Sequence, residues 1–169
     1  MSRISAILVV LAACGNGGPK HWKDQPLVEY SGTSEGHGYT IQMPTGMQAS
    51  KSDAGEYAYH QDVNGEGYVF APRVNVHFTP SKQTVDDALK MEKEPPLSKQ
   101  ALPDGWMYSQ ENPYSKGKNN YIVYAEHDLP DGALTCNAQV YPMSKSGDDD
   151  VRGKLLPLVE KMCASLKAK

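Results

Sequence analysis

Apolar and polar residues alternate along six stretches of this chain, the period-two pattern of half-buried strands. The first is Gly38-Tyr39-Thr40-Ile41-Gln42-Met43-Pro44, with Tyr39, Ile41 and Met43 on one face. Pro44 ends it, having no N–H for a ladder. Glu56 to Gln61 and Tyr68 to Pro80 follow, with Asn64-Gly65 between them. Both turn residues tolerate positive φ, so the pair predicts a hairpin. In its second arm Val74, Val76 and Phe78 alternate with Arg73, Asn75 and His77, one face buried and one wet. Trp106 to Gln110, Asn120 to Asp128 and Ala133 to Tyr141 complete the set. Lys116-Gly117-Lys118-Asn119 and Pro130-Asp131-Gly132 supply turns between them. Leu27 to Tyr30 reads as one more short edge strand.

Two segments carry helical spacing. Thr84-Val85-Asp86-Asp87 fits a capping box, with Val85, Ala88 and Leu89 as a short stripe and Pro95-Pro96 as the stop. Near the end, Leu155, Leu156, Val159, Met162, Cys163 and Leu166 share one face. Asp148-Asp149-Asp150 suits the positive end of that helix dipole as a solvated helix start, and Lys161, Lys167 and Lys169 its negative end. The order strands, helix, strands, helix predicts an α+β domain with a mostly antiparallel sheet over residues 37–169. Gly, Pro, Ser and charge dominate residues 14–36, which read as a tether.

Residues 1–13, MSRISAILVVLAA, have one charge at Arg3, an apolar run and then small residues, the layout of a secretory signal. A run of about 10 residues is too short for a membrane-spanning helix, which needs about 20. Leu11-Ala12-Ala13-Cys14 resembles the lipobox of bacterial lipoproteins at every position. The resemblance implies cleavage before Cys14, acylation of its thiol and attachment to a membrane by palmitate-type chains, each buried methylene contributing about 0.8 kcal/mol. Gly15 rather than Asp after the cysteine implies passage to the outer membrane, facing the periplasm.

Export would place Cys136 and Cys163 where a disulfide persists. Cys136 lies in phase with Ala138 and Val140 on an apolar strand face, and Cys163 on the helix stripe, so both point at one strand–helix core. Closing a loop of about 27 residues contributes roughly 3–4 kcal/mol in the chain-entropy model. Two buried free thiols packed as small hydrophobes are the alternative.

Composition narrows the function further. Of 169 residues, 39% are hydrophobic and 22% charged, enough for a core. Loss of residues 1–13 removes only Arg3 from the charged set, leaving 16 basic against 20 acidic side chains. Such a balance gives no reason to bind nucleic acid or to grip anionic lipid through a basic patch.

Catalytic patterns are missing. There is no Gly-x-Ser-x-Gly elbow, P-loop or dinucleotide fingerprint. The five histidines, His21, His37, His60, His77 and His127, form no zinc motif, and no cofactor is expected. An enzyme would need a site assembled from distant groups such as His77, His127 and nearby acids. Asp62-Val63-Asn64-Gly65-Glu66-Gly67 copies the start of a calcium loop, but its twelfth position is Arg73, where a bidentate glutamate is required. The hairpin reading is preferred over weak calcium binding, and no metal site is assigned. Ten tyrosines invite a binding surface. Tyr57 and Tyr59 flank the hairpin and Tyr121 and Tyr124 lie on opposite strand faces, with sheet packing the default and a partner-binding face the functional alternative.

The strand Gly38 to Pro44, the strand Val74-Asn75-Val76-His77-Phe78 leading into Thr84 to Leu89, and the closing Cys163-Ala164-Ser165-Leu166-Lys167 together resemble the PsbP-like superfamily, including DcrB-like lipoproteins. That resemblance implies an antiparallel sheet between helical layers, an α/β/α sandwich. It also implies a binding or assembly accessory rather than an enzyme. The expectation is a lipid-anchored, non-enzymatic envelope module that binds another envelope protein; an envelope hydrolase and a small-ligand or metal carrier are the alternatives.

Overall fold

The computed structural model describes residues 21–49, 55–62, 68–92, 94–142 and 150–169. Cys14 and the cleavage region lie outside these residues, as do 63–67 of the calcium-like string and Asp148-Asp149 of the acidic run. The chain is mostly antiparallel sheet with a few helices. Strands β1 (Leu27–Ser34), β2 (His37–Pro44) and β10 (Lys167–Ala168) form a small sheet in the order β1-β2-β10. The larger sheet contains β3 (Met47–Ala49), β4 (Glu56–Asp62), β5 (Tyr68–Thr79), β6 (Ser98–Leu102), β7 (Gly105–Glu111), β8 (Tyr121–Leu129) and β9 (Gly132–Val140). Its order is β3-β4-β5-β9-β8-β7-β6, antiparallel throughout.

Period-two patterning accounts for the inner face of the large sheet. Val74 and Val76 of β5, Cys136 and Ala138 of β9, and Val123 and Ala125 of β8 are all fully buried. Helix α2 (Leu156–Ala164), entered through a π-helical turn at Val151–Leu155, lies against this face. Its stripe is buried as its spacing requires: Val159, Met162 and Cys163 are inaccessible, and Leu155, Leu156 and Leu166 nearly so. Asp150 caps the turn by accepting from the Gly153 N–H at 2.8 Å. A disulfide joins Cys136 to Cys163 and ties β9 to α2. The small sheet covers the rest of the inner face, with Tyr39, Ile41 and Met43 of β2 turned into the core. Tyr39 and Tyr57 share a hydroxyl–hydroxyl bond of 2.8 Å between the two sheets.

Several boundaries differ from the sequence reading. The stretch 14–36 is not tether throughout, because Trp22 is fully buried and β1 runs through Ser31-Gly32-Thr33-Ser34. Composition misled there: Gly32 lies opposite Tyr39, and a Cβ on it would sit 2.3 Å from that ring, so the glycine makes room for packing. Strand β3, three residues long, was too short to show a period, and β6 and β10 had no apolar alternation to reveal them; β6 is half-exposed or exposed at every residue and exists through its ladder to β7. Helix α1 (Val85–Lys90) starts at the expected cap but stops short of Pro95, and none of its residues is buried. After Ser165 the chain leaves α2 and pairs with β2 instead of extending the helix. The β4–β5 pairing holds, with Asp62 opposite Tyr68.

Candidate functional site

The outer face of the large sheet is built from the polar phase of the same strands. Lys99, Tyr108, Tyr124, Asn137 and Asn75 form one transverse row. Trp106, Glu126, Thr135 and His77 form the next, and Gln110, Ile122, Gln139 and Arg73 a third. On β5 and β9 this face is wet, with Arg73, His77 and Asn137 exposed. Towards β7 and β8 it is not: Gln110 is fully buried, Glu126, Tyr108 and Trp106 are nearly so, and so is Thr135 of β9 beside Glu126.

The cover is the segment Gln83–Glu92, a strap fastened at both ends by hydrogen bonds. At its start the Trp106 indole N–H donates to the Gln83 carbonyl at 2.9 Å, and the Gln83 N–H donates to Glu126 Oε1 at 2.8 Å. Thr84 then caps α1 by accepting from the Asp87 N–H at 3.2 Å. At its end Glu92 accepts from the Tyr108 hydroxyl at 2.9 Å and from Gln110 Nε2 at 2.6 Å. Because a carboxylate only accepts, the second bond fixes the Gln110 amide orientation and leaves its buried Oε1 without a donor among the described residues.

Beneath and beside the strap runs a groove. One part, about 250 Å³, lies between Ala88, Met91 and Glu92 above and Tyr108, Tyr124 and Ile122 below. A second part, about 360 Å³, continues past Asn112 to Pro113 and Tyr114 and shares Met91, Glu92, Ile122 and Asn137 with the first. Trp106, Tyr108 and Tyr124 stack on one another at centroid separations of 5.4–6.0 Å, giving the floor a rigid aromatic support. Burial, reinforced by Glu92, pushes the Tyr108 hydroxyl far above its ordinary pKa. Tyr124 is raised by burial and then by the Glu126 charge. The Glu126 carboxyl is also raised, burial outweighing the opposing Gln83 N–H bond. At the rim, Met91 is 86% exposed and Tyr114 90%, the two most exposed large apolar side chains among the described residues.

The tyrosine surface expected from the sequence is corrected by this geometry. Tyr57 and Tyr59 are buried, the first held between the two sheets. Tyr121 packs against the inner core, so only Tyr124 reaches the groove. The histidines proposed for a distant-residue enzyme do not meet. His77 stands on the outer face opposite Thr135, whereas His127 is opposite Leu134 on the inner face. His127 is 2% exposed, with Nε2–H donating to the Cys163 carbonyl at 3.0 Å and Nδ1 3.1 Å from Asp104. Its place is the C-terminal end of α2, where it pins the helix to β8.

Sequence reasoning passed over Trp106, Tyr108, Glu126, Met91, Glu92 and Tyr114 as a group. One signal was present: Trp106-Met107-Tyr108 is apolar on both strand faces, which marks a strand covered on both sides. Among the described residues no three His, Cys, Asp or Glu side chains gather as a metal site, and no helix is long and apolar enough to cross a membrane. No family model matches this chain, and no curated protein matches it in sequence.

Proposed function

We propose that this chain is a lipid-anchored protein of the bacterial cell envelope whose domain acts as a binding or assembly module, and that the strapped groove is where it meets its partner. The groove carries the reading. A rigid aromatic floor, a few convergent polar groups and two large apolar side chains standing in solvent at its rim are features of binding surfaces. Anchoring is supported by the lipobox-like Leu11-Ala12-Ala13-Cys14, and Gly15 favours an outer-membrane destination facing the periplasm. The Cys136–Cys163 disulfide is in keeping with an oxidising compartment.

The PsbP-like, DcrB-like sandwich is part of the same proposal. Its support is the placement of α2 on the Cys136 face of the sheet and of the strap on the opposite, Glu126 face. A photoreactive residue at Met91 or Tyr114 in the full-length chain, expressed in its native envelope, tests the reading. Adducts of the same identified protein from both positions, and none from an exposed control at Val28, are expected. Equal labelling from all three positions, or none from the rim, would overturn it.

A further inference from the structure

Met91 differs from every other sulfur-bearing side chain among the described residues in being open to solvent. It is 86% exposed, whereas Met43, Met47, Met107 and Met162 are buried, none above 5%, and Cys136 and Cys163 are fully buried as a disulfide. Its position is nevertheless fixed. Met91 is the C-cap of α1, its N–H donating to the Ala88 carbonyl at 3.2 Å, and the next residue, Glu92, is held by Tyr108 and Gln110. The thioether therefore stands at the junction of the two parts of the groove and lines both. A thioether has no proton to lose and needs no activating base to react with a peroxide; it needs access. Its sulfur lone pair attacks one peroxide oxygen, and an S–O bond forms as the O–O bond breaks. The departing hydroxide takes the proton of the transferred oxygen and leaves as water. Sulfur is oxidised by two electrons to the sulfoxide, and hydrogen peroxide is reduced to water.

We infer that Met91 is an oxidation site, converted by peroxide to methionine sulfoxide ahead of the buried methionines, and that this conversion weakens partner docking at the groove. The second half rests on the groove being the partner site. A buried thioether waits for an opening of the fold before peroxide reaches it, so the difference in exposure becomes a difference in rate. The sulfoxide puts a polar S=O group where a soft apolar sulfur stood, beside Ala88 and Ile122. Covering that oxygen with the apolar surface of a partner costs its hydration unless a donor replaces the water. The change is reversible: a sulfoxide reductase returns the oxygen as water while a pair of thiols is oxidised to a disulfide.

The test uses envelopes isolated from cells expressing the full-length chain, treated briefly with hydrogen peroxide and mapped by peptide mass spectrometry. Sulfoxide at Met91 should form at least about tenfold faster than at Met43, Met47, Met107 or Met162. Equal rates, or a buried methionine ahead of Met91, overturn the site assignment. The same treatment is applied to protein carrying a photoreactive residue at Tyr114, which leaves Met91 in place. Partner adducts from Tyr114 should fall at least about tenfold on oxidation and return when methionine sulfoxide reductases of both stereospecificities are added. Met91→Leu, compared only with itself before and after peroxide, should show no change in adduct yield, which separates Met91 from oxidation of the partner. A yield unaffected by oxidation of Met91, or an equal fall in Met91→Leu, overturns the regulatory half. If the untreated protein gives no adduct from Tyr114, the binding-site reading fails and the regulatory half with it, while the mass spectrum still decides the oxidation site.

Discussion

Reduction of the Cys136–Cys163 disulfide tests one contribution to stability with little loss of buried volume, because both sulfur atoms are kept and need only part from bonding to van der Waals distance. The two residues are fully buried, so the neighbours must absorb that small separation, a strain that adds to the loss. The helix end remains attached as well, since His127 still holds the Cys163 carbonyl and Ser165 Oγ still accepts from the Gln42 N–H. The main effect therefore falls on the unfolded chain, which gains the freedom of a loop spanning 27 positions. The chain-entropy relation gives about 12 cal/mol/K for that loop, or about 3.5 kcal/mol at 25 °C. For a domain of this size that corresponds to a fall in Tm of roughly 7–14 °C. A fully buried disulfide resists reductant in the native state, so the protein is reduced in denaturant and refolded under reducing conditions. Urea unfolding of oxidised and reduced forms then reads the difference directly. A loss under about 1 kcal/mol, or a reduced form that is the more stable, would refute the reasoning. Cys136→Ala with Cys163→Ala should cost about 1–2 kcal/mol more, because removing two buried sulfur atoms also leaves a cavity.

Other outcomes follow from the outer face and the hairpin tip. Burial raises the Glu126 pKa, so the folded state is favoured at low pH and loses that advantage as pH rises through the folded value. Glu126→Gln keeps an acceptor for the Gln83 N–H and should be at least as stable as the parent at pH 7, its relative gain vanishing near pH 4. Marked destabilisation at neutral pH in urea unfolding would count against this. Trp106→Phe removes the donor to the Gln83 carbonyl, a bond contributing about 1 kcal/mol net. Hydrogen exchange should then quicken several-fold at amides of residues 83–92 and stay unchanged on β9; uniform acceleration would mean that the whole sheet, not the strap, had loosened. His37 stacks on Phe78 and bonds Asp131 at 3.0 Å, which raises the His37 pKa and lowers that of Asp131. The pair stabilises most from about pH 4 to pH 6.5, and its contribution is lost as pH rises through the raised histidine value. In Asp131→Asn the His37 NMR titration midpoint should drop, and an unchanged midpoint would show that the contact is not formed in solution.

The inner half of the molecule was legible because burial imposes a period. Tyr39, Ile41 and Met43, Val74 and Val76, and the stripe from Leu155 to Leu166 each had to present one apolar side to one core. The phases of Cys136 and Cys163 followed from the same rule and brought them together. Even the separation of His77 from His127 was readable: His127 is in phase with Val123 and Ala125, whereas His77 is out of phase with Val76. What periodicity could not show was structure held by backbone pairing alone. Ser31-Gly32-Thr33-Ser34 and Ser98 to Leu102 have no apolar face, and their strands exist through β2 and β7. Trp22 was lost in a polar neighbourhood, although a buried indole is a substantial anchor. The groove was least legible, since its roof and floor are far apart in sequence and its residues occupy the phase ordinarily given to solvent.

The two faces of the large sheet also differ in how they are held, and that difference bears on function. On the inner face α2 contributes a continuous apolar stripe and a covalent link, so its removal requires losing the core itself. On the outer face α1 has no buried residue, and the strap is held chiefly by four side-chain hydrogen bonds: two at Gln83 and two at Glu92. Bonds of this kind contribute about 1 kcal/mol each net of competition with water, so detaching one end costs only a few kcal/mol, well below global unfolding. Release at the Glu92 end would bare Tyr108, Gln110 and an acceptor-rich patch whose polar groups then need new partners. A donor that reaches Glu92 from solvent need not break either of its existing bonds, because a carboxylate offers about four acceptor sites. Partner binding at the groove should therefore protect the amides of the strap from exchange while leaving those of the inner core as they were.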